Sequence, residues 1–322
     1  MESLPSLAEL EAATALVRAA GVPPTPQFTW PLLNARAGAE VWVKHENHTQ
    51  VGAFKLRSGL VYFDWLARTA PGVRGVIAAT RGNHGQAVAF AARRHGRRAL
   101  IVVPHGNSLE KNAAMRALGA ELVEHGEDFL AALEHSQRLA AEQGLHAVPS
   151  FDRQLVAGVG TLALEFLRGA PALDTVYVPI GLGSGICAMM AARDALELKT
   201  KIVGVVSALA PAYALSFAAR RVVAHAVTTR IADGVAVRTP NAEALAHILR
   251  GAERVVQVSD DEVEAAMRAL YSDTHNVAEG AGAVALAAVL QEKSSLAGRR
   301  VGVVLTGGNV DRAVFARVLA TG

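Results

Sequence analysis

The sequence has few of the features found in disulfide-linked or membrane-spanning proteins. It contains one cysteine, Cys187, which excludes an internal disulfide and a metal site made of several cysteines, and which indicates a reducing compartment. No stretch approaches about eighteen unbroken apolar residues, so the sequence predicts no membrane span. Residues 1–21 mix acidic with apolar side chains and lack the continuous hydrophobic segment of a signal peptide. We therefore expect a cytoplasmic protein.

The sequence also lacks an excess of charge of either sign. Its 322 residues include 32 Lys and Arg and 29 Asp and Glu, which gives a formal net charge of +3 at pH 7. The basic residues occur singly or in pairs at the ends of apolar segments, where they suit helix C-termini and solvent. No continuous basic patch of the kind that binds nucleic acid is present, so we expect no nucleic-acid partner.

What the sequence does contain is a regular alternation of short apolar strands with helices. Gly96, Gly119 and Gly144 each stand where a helix should end. Apolar strands that alternate with helices predict parallel sheets covered by helices on both faces. Strands are predicted at residues 39–46, 75–80, 98–104, 121–126, 145–150, 175–180, 201–207 and 300–306.

This alternation predicts an α/β protein made of two doubly wound parallel-sheet domains. The small domain is expected to span residues 51–150. The large domain is expected to combine residues 1–50 with residues 151–322, and there is no internal repeat or low-complexity linker. A chain of this length is typical of about two domains.

Lys55 is the first candidate for chemistry. It lies in the segment KHENHTQVGAFKLRSG at the predicted start of a helix, where the helix dipole disfavours a cation. Its apolar neighbours Phe54 and Leu56 disfavour the ammonium form further. Both effects lower the lysine pKa, which is what Schiff-base chemistry requires. The alternative for this segment alone is a surface lysine that opens a helix.

Three further segments follow predicted strands, where ligands bind in open α/β sheets: TRGNHGQ (80–86), GLGSG (181–185) and LTGGN (305–309). Glycine turns that lead into helices expose backbone N–H groups suited to phosphate or carboxylate. GLGSG is not a dinucleotide fingerprint, because Ile186 stands where the last glycine would be needed. The alternative for each segment is an ordinary polar or tight turn.

Taken together, these segments resemble the fold-type II pyridoxal phosphate (PLP) enzymes, and within them the threonine/serine dehydratase branch. The resemblance is carried by GAFKLRSG, TRGNHGQAVAFAA, GLGSGI, IADGVAV, VAEGAGAVALAA and LTGGNVD, which occur in order over nearly the whole chain. It implies a fold similar to the tryptophan synthase β-subunit, with PLP in the cleft between the two domains.

The resemblance also implies roles for individual residues. Lys55 would hold PLP as a Schiff base and would later remove the α-proton of the substrate. Asn83 would bind the ring hydroxyl of PLP, Thr306 would face the pyridine nitrogen, and Phe54 and Glu279 would lie near the cofactor. The cofactor phosphate would be bound by Gly181, Leu182, Gly183, Ser184 and Gly185. The substrate would be bound by Thr80, Arg81, Gly82, Asn83 and His84.

The sequence departs from the family pattern at several positions. Ala53 replaces the usual serine of the lysine motif. Arg81 stands where dehydratases carry a small residue and serine racemases carry a serine that acts as a second base. Val206 and Ala212 occupy the positions at which related enzymes place carboxylates for a divalent cation, so we expect no metal. Trp30 replaces a small polar residue, and we expect it to be buried by packing or to line the pocket.

We therefore expect a PLP-dependent ammonia-lyase that converts L-threonine or L-serine to a 2-oxo acid and ammonia, as a homodimer by family analogy. Arg81 and Trp30 leave open a bulkier substrate such as 3-hydroxyaspartate or phenylserine. A non-catalytic binding protein on the same fold is a third possibility, against which Lys55 argues. His275 is expected to be a hydrogen-bonded core histidine.

Overall fold

The computed structural model describes residues 3–321, which fold into two parallel-sheet layers with helices packed against them. The strands are β1 Gln27–Thr29, β2 Glu40–His45, β3 Gly75–Ala79, β4 Arg98–Val103, β5 Glu121–Glu124, β6 His146–Ala147, β7 Thr175–Pro179, β8 Lys201–Ser207, β9 Arg254–Val258 and β10 Arg300–Leu305. The helices are α1 Leu7–Ala19, α2 Pro31–Ala37, α3 Lys55–Thr69, α4 Asn83–Arg94, α5 Leu109–Ala117, α6 Phe129–Gln143, α7 Arg153–Gly169, α8 Ser184–Ala195, α9 Ala212–Ala219, α10 Ala242–Gly251, α11 Asp260–Thr274, α12 Gly280–Gln291 and α13 Arg312–Ala320.

Each of the two sheets has one point at which the order of its strands reverses. The larger sheet has the order β1-β2-β10-β7-β8-β9, and its neighbouring strands are parallel except for the antiparallel pair β1 and β2. The smaller sheet has the order β5-β4-β3-β6 and is parallel throughout. The order reverses between β10 and β7 in the first sheet and at β3 in the second. Ligands bind outside the carboxyl ends of strands at such points.

The α/β fold class is confirmed, and every predicted strand is present. Gly96, Gly119 and Gly144 have positive φ angles of 61°, 96° and 62° just after helices, as the helix-stop prediction required. Strands β1 and β9 were not predicted, because both are short or only partly buried and lack a long apolar run. The strands divide between the sheets as expected, whereas the domain boundaries at residues 50 and 150 stay a prediction.

The larger sheet is buried on both faces, which explains its nearly continuous valine content. Val176 and Ile202 face one apolar cluster together with helices α7 and α8. Val203 and Val301 face the opposite cluster, where α12 is buried over ten of its twelve residues. The central strands therefore hold the loops at their carboxyl ends on a rigid base. Within the described residues, no helix has both the length and the apolar character needed to span a bilayer.

Candidate active site

The two sheets meet through residues that follow their strands. Arg81 and Asn83 come after β3, and Lys111 lies in the helix after β4. Arg81 contacts Asp233, and both Asn83 and Lys111 contact Glu279. Asp233 and Glu279 belong to the part of the chain that contains the larger sheet. The structure thus brings together the carboxyl ends of both sheets, where the sequence predicted a cleft.

Lys55 is held at the base of this cleft by the backbone that precedes it. The N–H of Phe54 donates to the carbonyl of Thr306 at 2.9 Å, and the N–H of Gly308 donates to the carbonyl of Gly52 at 2.9 Å. Ala53, between them, forms an isolated antiparallel bridge with Gly307. Lys55 is then the first residue of α3, as predicted. Its position is fixed by the larger sheet, while its helix packs mainly against α7 and α4.

The amine of Lys55 has a hydroxyl as its hydrogen-bonding partner instead of a carboxylate. Its Nζ donates to Ser184 Oγ at 3.1 Å and lies 4.9 Å from the centre of the Phe54 ring. Burial lowers the pKa of Lys55 from 10.5 to about 8. The neutral amine is therefore accessible near physiological pH, as a Schiff-base lysine requires.

The glycine loop after β7 leads directly into the start of α8. Ser184 is the first residue of the helix, and Gly183 before it has a φ of 106°, which disfavours any other residue. A Cβ at Gly181 would lie 2.5 Å from the carbonyl oxygen of Gly234. The Tyr213 hydroxyl donates to the carbonyl of Leu182 at 3.0 Å and steadies the loop. The unpaired N–H groups of this helix start suit a phosphate.

The loop after β3 carries the predicted carboxylate-binding residues. Thr80 Oγ1 accepts a hydrogen bond from the N–H of Gly82 at 3.0 Å, which closes the turn. His84 is buried, and its Nε2 has no hydrogen-bond partner among the described residues. Burial, followed by the charge of nearby Lys55, lowers the pKa of His84 to about 3. A neutral histidine with an unpaired ring nitrogen is available to a ligand.

Arg81 lies at the mouth of the cleft with one third of its side chain exposed. Its Nε is 3.4 Å from Asp233 Oδ1, an ion pair that lacks the geometry of a hydrogen bond. This nitrogen is buried and makes no hydrogen bond to any described residue. The guanidinium is thus only weakly satisfied and can bind a further anion.

Asn83 and Glu279 are joined by a chain of side-chain hydrogen bonds. The amide nitrogen of Asn83 donates to Glu279, and its oxygen accepts from the amide nitrogen of Asn309 at 2.8 Å. Lys111 Nζ donates to the other carboxylate oxygen of Glu279 at 2.8 Å. Among residues 3–321, only one of the two amide hydrogens of Asn83 finds an acceptor, which leaves the other for a ligand.

Thr306, at the end of β10, has a buried hydroxyl that lies 3.4 Å from the carbonyl of Ala281. This hydroxyl can donate to or accept from a ring nitrogen, but being neutral it cannot stabilise a full positive charge as a carboxylate would. The structure therefore brings Thr306 to the same cleft edge as Lys55, through the backbone contact with Phe54.

A buried charge network lies beneath Lys55 and was not predicted from the sequence. The guanidinium of Arg57 bonds Glu46 at 2.8 Å and Glu165 at 2.8 Å, and Lys44 also bonds Glu165 at 2.8 Å. Gly158 lets α7 approach α3 closely, since a Cβ there would lie 2.6 Å from the carbonyl of Arg57. The network is balanced in charge, so it holds the first turn of α3 without leaving a buried charge unpaired.

Two predictions about individual residues have a clear outcome. His275 is not a core histidine: it is exposed, has a φ of 52° and ends α11, because the chain must turn sharply there. Trp30 is half-buried, donates to His45 Nε2 at 3.3 Å and packs edge-on against Phe28. It therefore lies beside β2, in contact with these two rings.

The two positions at which related enzymes place carboxylates for a divalent cation are apolar in this protein. Val206 and Ala212 are buried and have no oxygen in their side chains. Among residues 3–321, no cluster of three or more His, Cys, Asp or Glu side chains is placed to hold a metal ion.

The donor set at the cleft fits PLP. It combines a partly neutral amine at Lys55, a helix start with a glycine turn at Gly183, and an unpaired buried nitrogen on His84. An aldehyde, a phosphate and a carboxylate each find a complementary group within this arrangement.

Comparison with known proteins agrees with this fit. A family model described as pyridoxal-phosphate dependent enzyme matches residues 19–307. The chain belongs to this family. As a member of it, the protein uses PLP as its cofactor.

Relatives within the family narrow the reaction class. The chain is 33% identical to an L-threonine ammonia-lyase of Thermotoga maritima over 90% of its own length and 72% of the relative's. It is 32% identical to an L-threo-3-hydroxyaspartate ammonia-lyase of Saccharomyces cerevisiae, covering 92% and 91% of the two chains. The crystal structure of a T.th. threonine deaminase superposes with a TM-score of 0.87 at 32% identity, covering 95% of this chain and 99% of that one. The protein is thus a PLP-dependent lyase.

The first prediction concerns the pH dependence of PLP uptake by the apoprotein. Because only the neutral amine attacks an aldehyde, the rate should rise about tenfold per pH unit below the lowered pKa of Lys55 and level off above about 8. Stopped-flow absorbance would measure this rate. The reaction of PLP with a simple alkylamine, followed over the same pH range, would correct for the titration of PLP itself. A rate that keeps rising to about pH 10, the ordinary lysine range, would contradict the lowered pKa.

The second prediction concerns divalent cations. Because Val206 and Ala212 offer no oxygen ligands, exhaustive chelation should leave turnover and the melting temperature of the holoenzyme unchanged. Parallel samples with added magnesium serve as the control. Recovery of a large lost activity on adding magnesium would show that a cation site exists in this segment.

Proposed function

We propose that this PLP-dependent lyase is an ammonia-lyase for L-threonine and L-serine, which it converts to 2-oxobutanoate and pyruvate with release of ammonia. The observation that carries the proposal is the placement of the Lys55 amine 3.1 Å from Ser184 at the glycine loop. Its relatives are ammonia-lyases for hydroxy amino acids, which supports the same class of reaction here.

The residues of the cleft suit the steps of this elimination. PLP, when bound, withdraws electrons from the α-carbon of the substrate. The amine of Lys55 takes the α-proton, and its lowered pKa matches this role as a base near neutral pH. The turn of Thr80, Gly82 and His84 binds the substrate carboxylate and thereby orients the α-proton towards the lysine.

The glycine loop and Thr306 complete the proposed site. The N–H groups at Gly183 to Gly185 and the Ser184 hydroxyl hold the phosphate. The neutral hydroxyl of Thr306 would interact with the pyridine nitrogen of PLP, and because it is uncharged the ring would be a weaker electron sink than a carboxylate would make it. Such a site would suit elimination of a β-hydroxyl.

One observation favours a second substrate, L-threo-3-hydroxyaspartate. The guanidinium of Arg81 is poorly satisfied by Asp233, at 3.4 Å without hydrogen-bond geometry. A β-carboxylate on the substrate would give it a planar partner for two parallel hydrogen bonds. No observation of comparable weight favours phenylserine, because Trp30 packs against Phe28 and His45.

The non-catalytic alternative is set aside, because the family and the named relatives are enzymes. We further propose that the protein is a cytoplasmic homodimer. The small molecule that it binds besides PLP would be its amino-acid substrate. The single buried cysteine, which is free, is consistent with a reducing compartment.

The third prediction tests the proposed reaction through Lys55. Wild-type holoenzyme should release 2-oxobutanoate from L-threonine and pyruvate from L-serine. Lys55→Ala should lower both rates by roughly a hundred- to ten-thousandfold, because the α-proton loses its base. Lys201→Ala, at an exposed lysine paired with Glu253, is the matched control and should match wild type. Full activity of Lys55→Ala, or no 2-oxo acid from either substrate by PLP-loaded wild type, would refute the proposal.

The fourth prediction concerns Arg81. A guanidinium stays protonated at working pH and cannot serve as the second base of a racemase, so L-serine should yield pyruvate with essentially no D-serine. Arg81→Ala should raise KM for L-threo-3-hydroxyaspartate relative to that for L-serine by roughly tenfold, the loss of one charge-assisted contact. Its affinity for PLP should stay unchanged.

The control for Arg81 is Arg116→Ala, which removes another arginine loosely paired with a carboxylate, Glu124 at 3.6 Å. It should leave all kinetic constants as in wild type. Chiral chromatography and coupled assays would measure the products. Substantial D-serine, or kinetics of Arg81→Ala unchanged on every substrate, would overturn the role of Arg81.

A further inference from the structure

Lys111 is a buried cation that the proposed reaction does not use. It is the third residue of α5, where the helix dipole disfavours positive charge. Its side chain is only 9% exposed, so its ammonium group has lost most of its hydration. A cation in such a position is costly unless a specific partner compensates for both effects.

The partner is Glu279. Lys111 Nζ lies 2.8 Å from one carboxylate oxygen of Glu279, which is itself 4% exposed. Burial lowers the pKa of Lys111, but the charge of Glu279, with smaller effects from Asp233 and Asp311, outweighs it and raises the pKa. The ammonium stays charged and holds a carboxylate 168 residues away in the sequence.

The other oxygen of Glu279 fixes the orientation of the Asn83 amide. It accepts from the amide nitrogen of Asn83, whose oxygen accepts from Asn309 at 2.8 Å. The Asn309 nitrogen also donates to the carbonyl of Val51 at 2.8 Å. If the Asn83 amide were inverted, its oxygen would face a carboxylate and its nitrogen another amide nitrogen. The chain of bonds therefore permits one orientation, which leaves one N–H of Asn83 unused by the described residues.

We propose that Lys111 and Glu279 are positioning residues that orient the Asn83 amide, so that it presents an N–H to the ring oxygen of bound PLP. The inference rests on the proposed function for the placement of PLP on Lys55. The ion pair between Lys111 and Glu279 would then serve cofactor binding in addition to joining the two sheets. Neither residue needs to touch a reacting atom.

The stem of Lys111 has a separate packing role, which the test must keep. A Cβ at Gly82 would lie 2.4 Å from Cδ of Lys111, so the stem covers the turn that precedes Asn83. Lys111→Met retains an unbranched stem and removes the charge, and Lys111→Arg retains the charge. Glu279→Gln retains the shape of Glu279 and lets an amide N–H compete with that of Asn83.

The experiment compares the single variants Lys111→Met, Glu279→Gln and Asn83→Ala. It also includes two double variants, in which Glu279→Gln is combined with Lys111→Met or with Asn83→Ala. It measures the melting temperature of the apoprotein, the Kd of PLP by fluorescence quenching, and the visible absorption band of bound PLP. Each single variant should weaken PLP binding by roughly tenfold, the value of one well-placed hydrogen bond. Each should also change the visible band in the same direction as Asn83→Ala.

The double variants separate positioning from simple stabilisation. If Glu279 acts through Asn83, Glu279→Gln should cause no further change in Kd or absorption when Asn83 is already alanine. Lys111→Met should likewise add little to Glu279→Gln, and Lys111→Arg should restore the wild-type band. Lys201→Met, which removes the charge of an exposed ion pair at the amino end of β8, opposite to the strand ends that form the cleft, is the control and should leave the band and Kd unchanged.

Additive effects in the double variants would overturn the proposal, as would a lower melting temperature with an unaltered band and Kd. Failure of the proposed function gives a different result, because PLP-loaded wild type would then release no 2-oxo acid from L-threonine or L-serine, and failure of the placement of PLP on Lys55 would leave wild type with no visible band that Lys55→Ala abolishes. A wild-type band that Lys55→Ala abolishes, together with unaltered bands in Lys111→Met and Glu279→Gln, would refute the positioning role alone.

Discussion

Backbone contacts between residues 52–54 and residues 306–308 hold the two halves of the site together. The pairing of Phe54 with Thr306 and of Gly52 with Gly308 attaches the segment before α3 to the loop after β10. The same contacts place the first residue of α3 beside the start of α8, where Lys55 meets Ser184. The Lys55 amine, the glycine loop and Thr306 thus share one rigid support, the central strands of the larger sheet.

The chemistry of Lys55 follows from the contrast with two other buried cations, Arg57 and Lys111; a further one, Lys44, has a lowered pKa because its burial outweighs its ion pair with Glu165. Arg57 and Lys111 have carboxylate partners within 2.8 Å, and the pKa of each is raised. Lys55 has a hydroxyl as its partner, so burial is unopposed and its pKa falls. The cost of burying a charge is therefore offset by carboxylate partners in two cases, whereas in the third it lowers the pKa and makes the neutral amine accessible.

The sequence was informative wherever a local pattern determines the structure. Glycines before a helix start, as at Gly183, and apolar strands such as β7 and β10 leave a short-range signal. Lys111, Glu279 and Asn309 gave none of comparable strength, because their contacts join residues 168 or more positions apart and depend on how the sheets face each other.

Individual residues show the same limit. Lys111 had one clue, a cation in the first turn of a helix, which the dipole disfavours in the same way as for Lys55. The prediction for His275 was wrong because the chain turns sharply after α11, with a positive φ at His275, and this turn exposes its ring. Sequence patterns therefore predicted the loops of the site and their order, but not the bonds that join them.

The central claim is that Lys55 carries the cofactor. The most direct measurement is borohydride reduction of the purified holoenzyme, followed by tryptic digestion and mass spectrometry. The account predicts that the visible band is lost irreversibly and that the pyridoxyl group is found on Lys55. A label on another lysine, or no label on a protein that retains its activity, would contradict it.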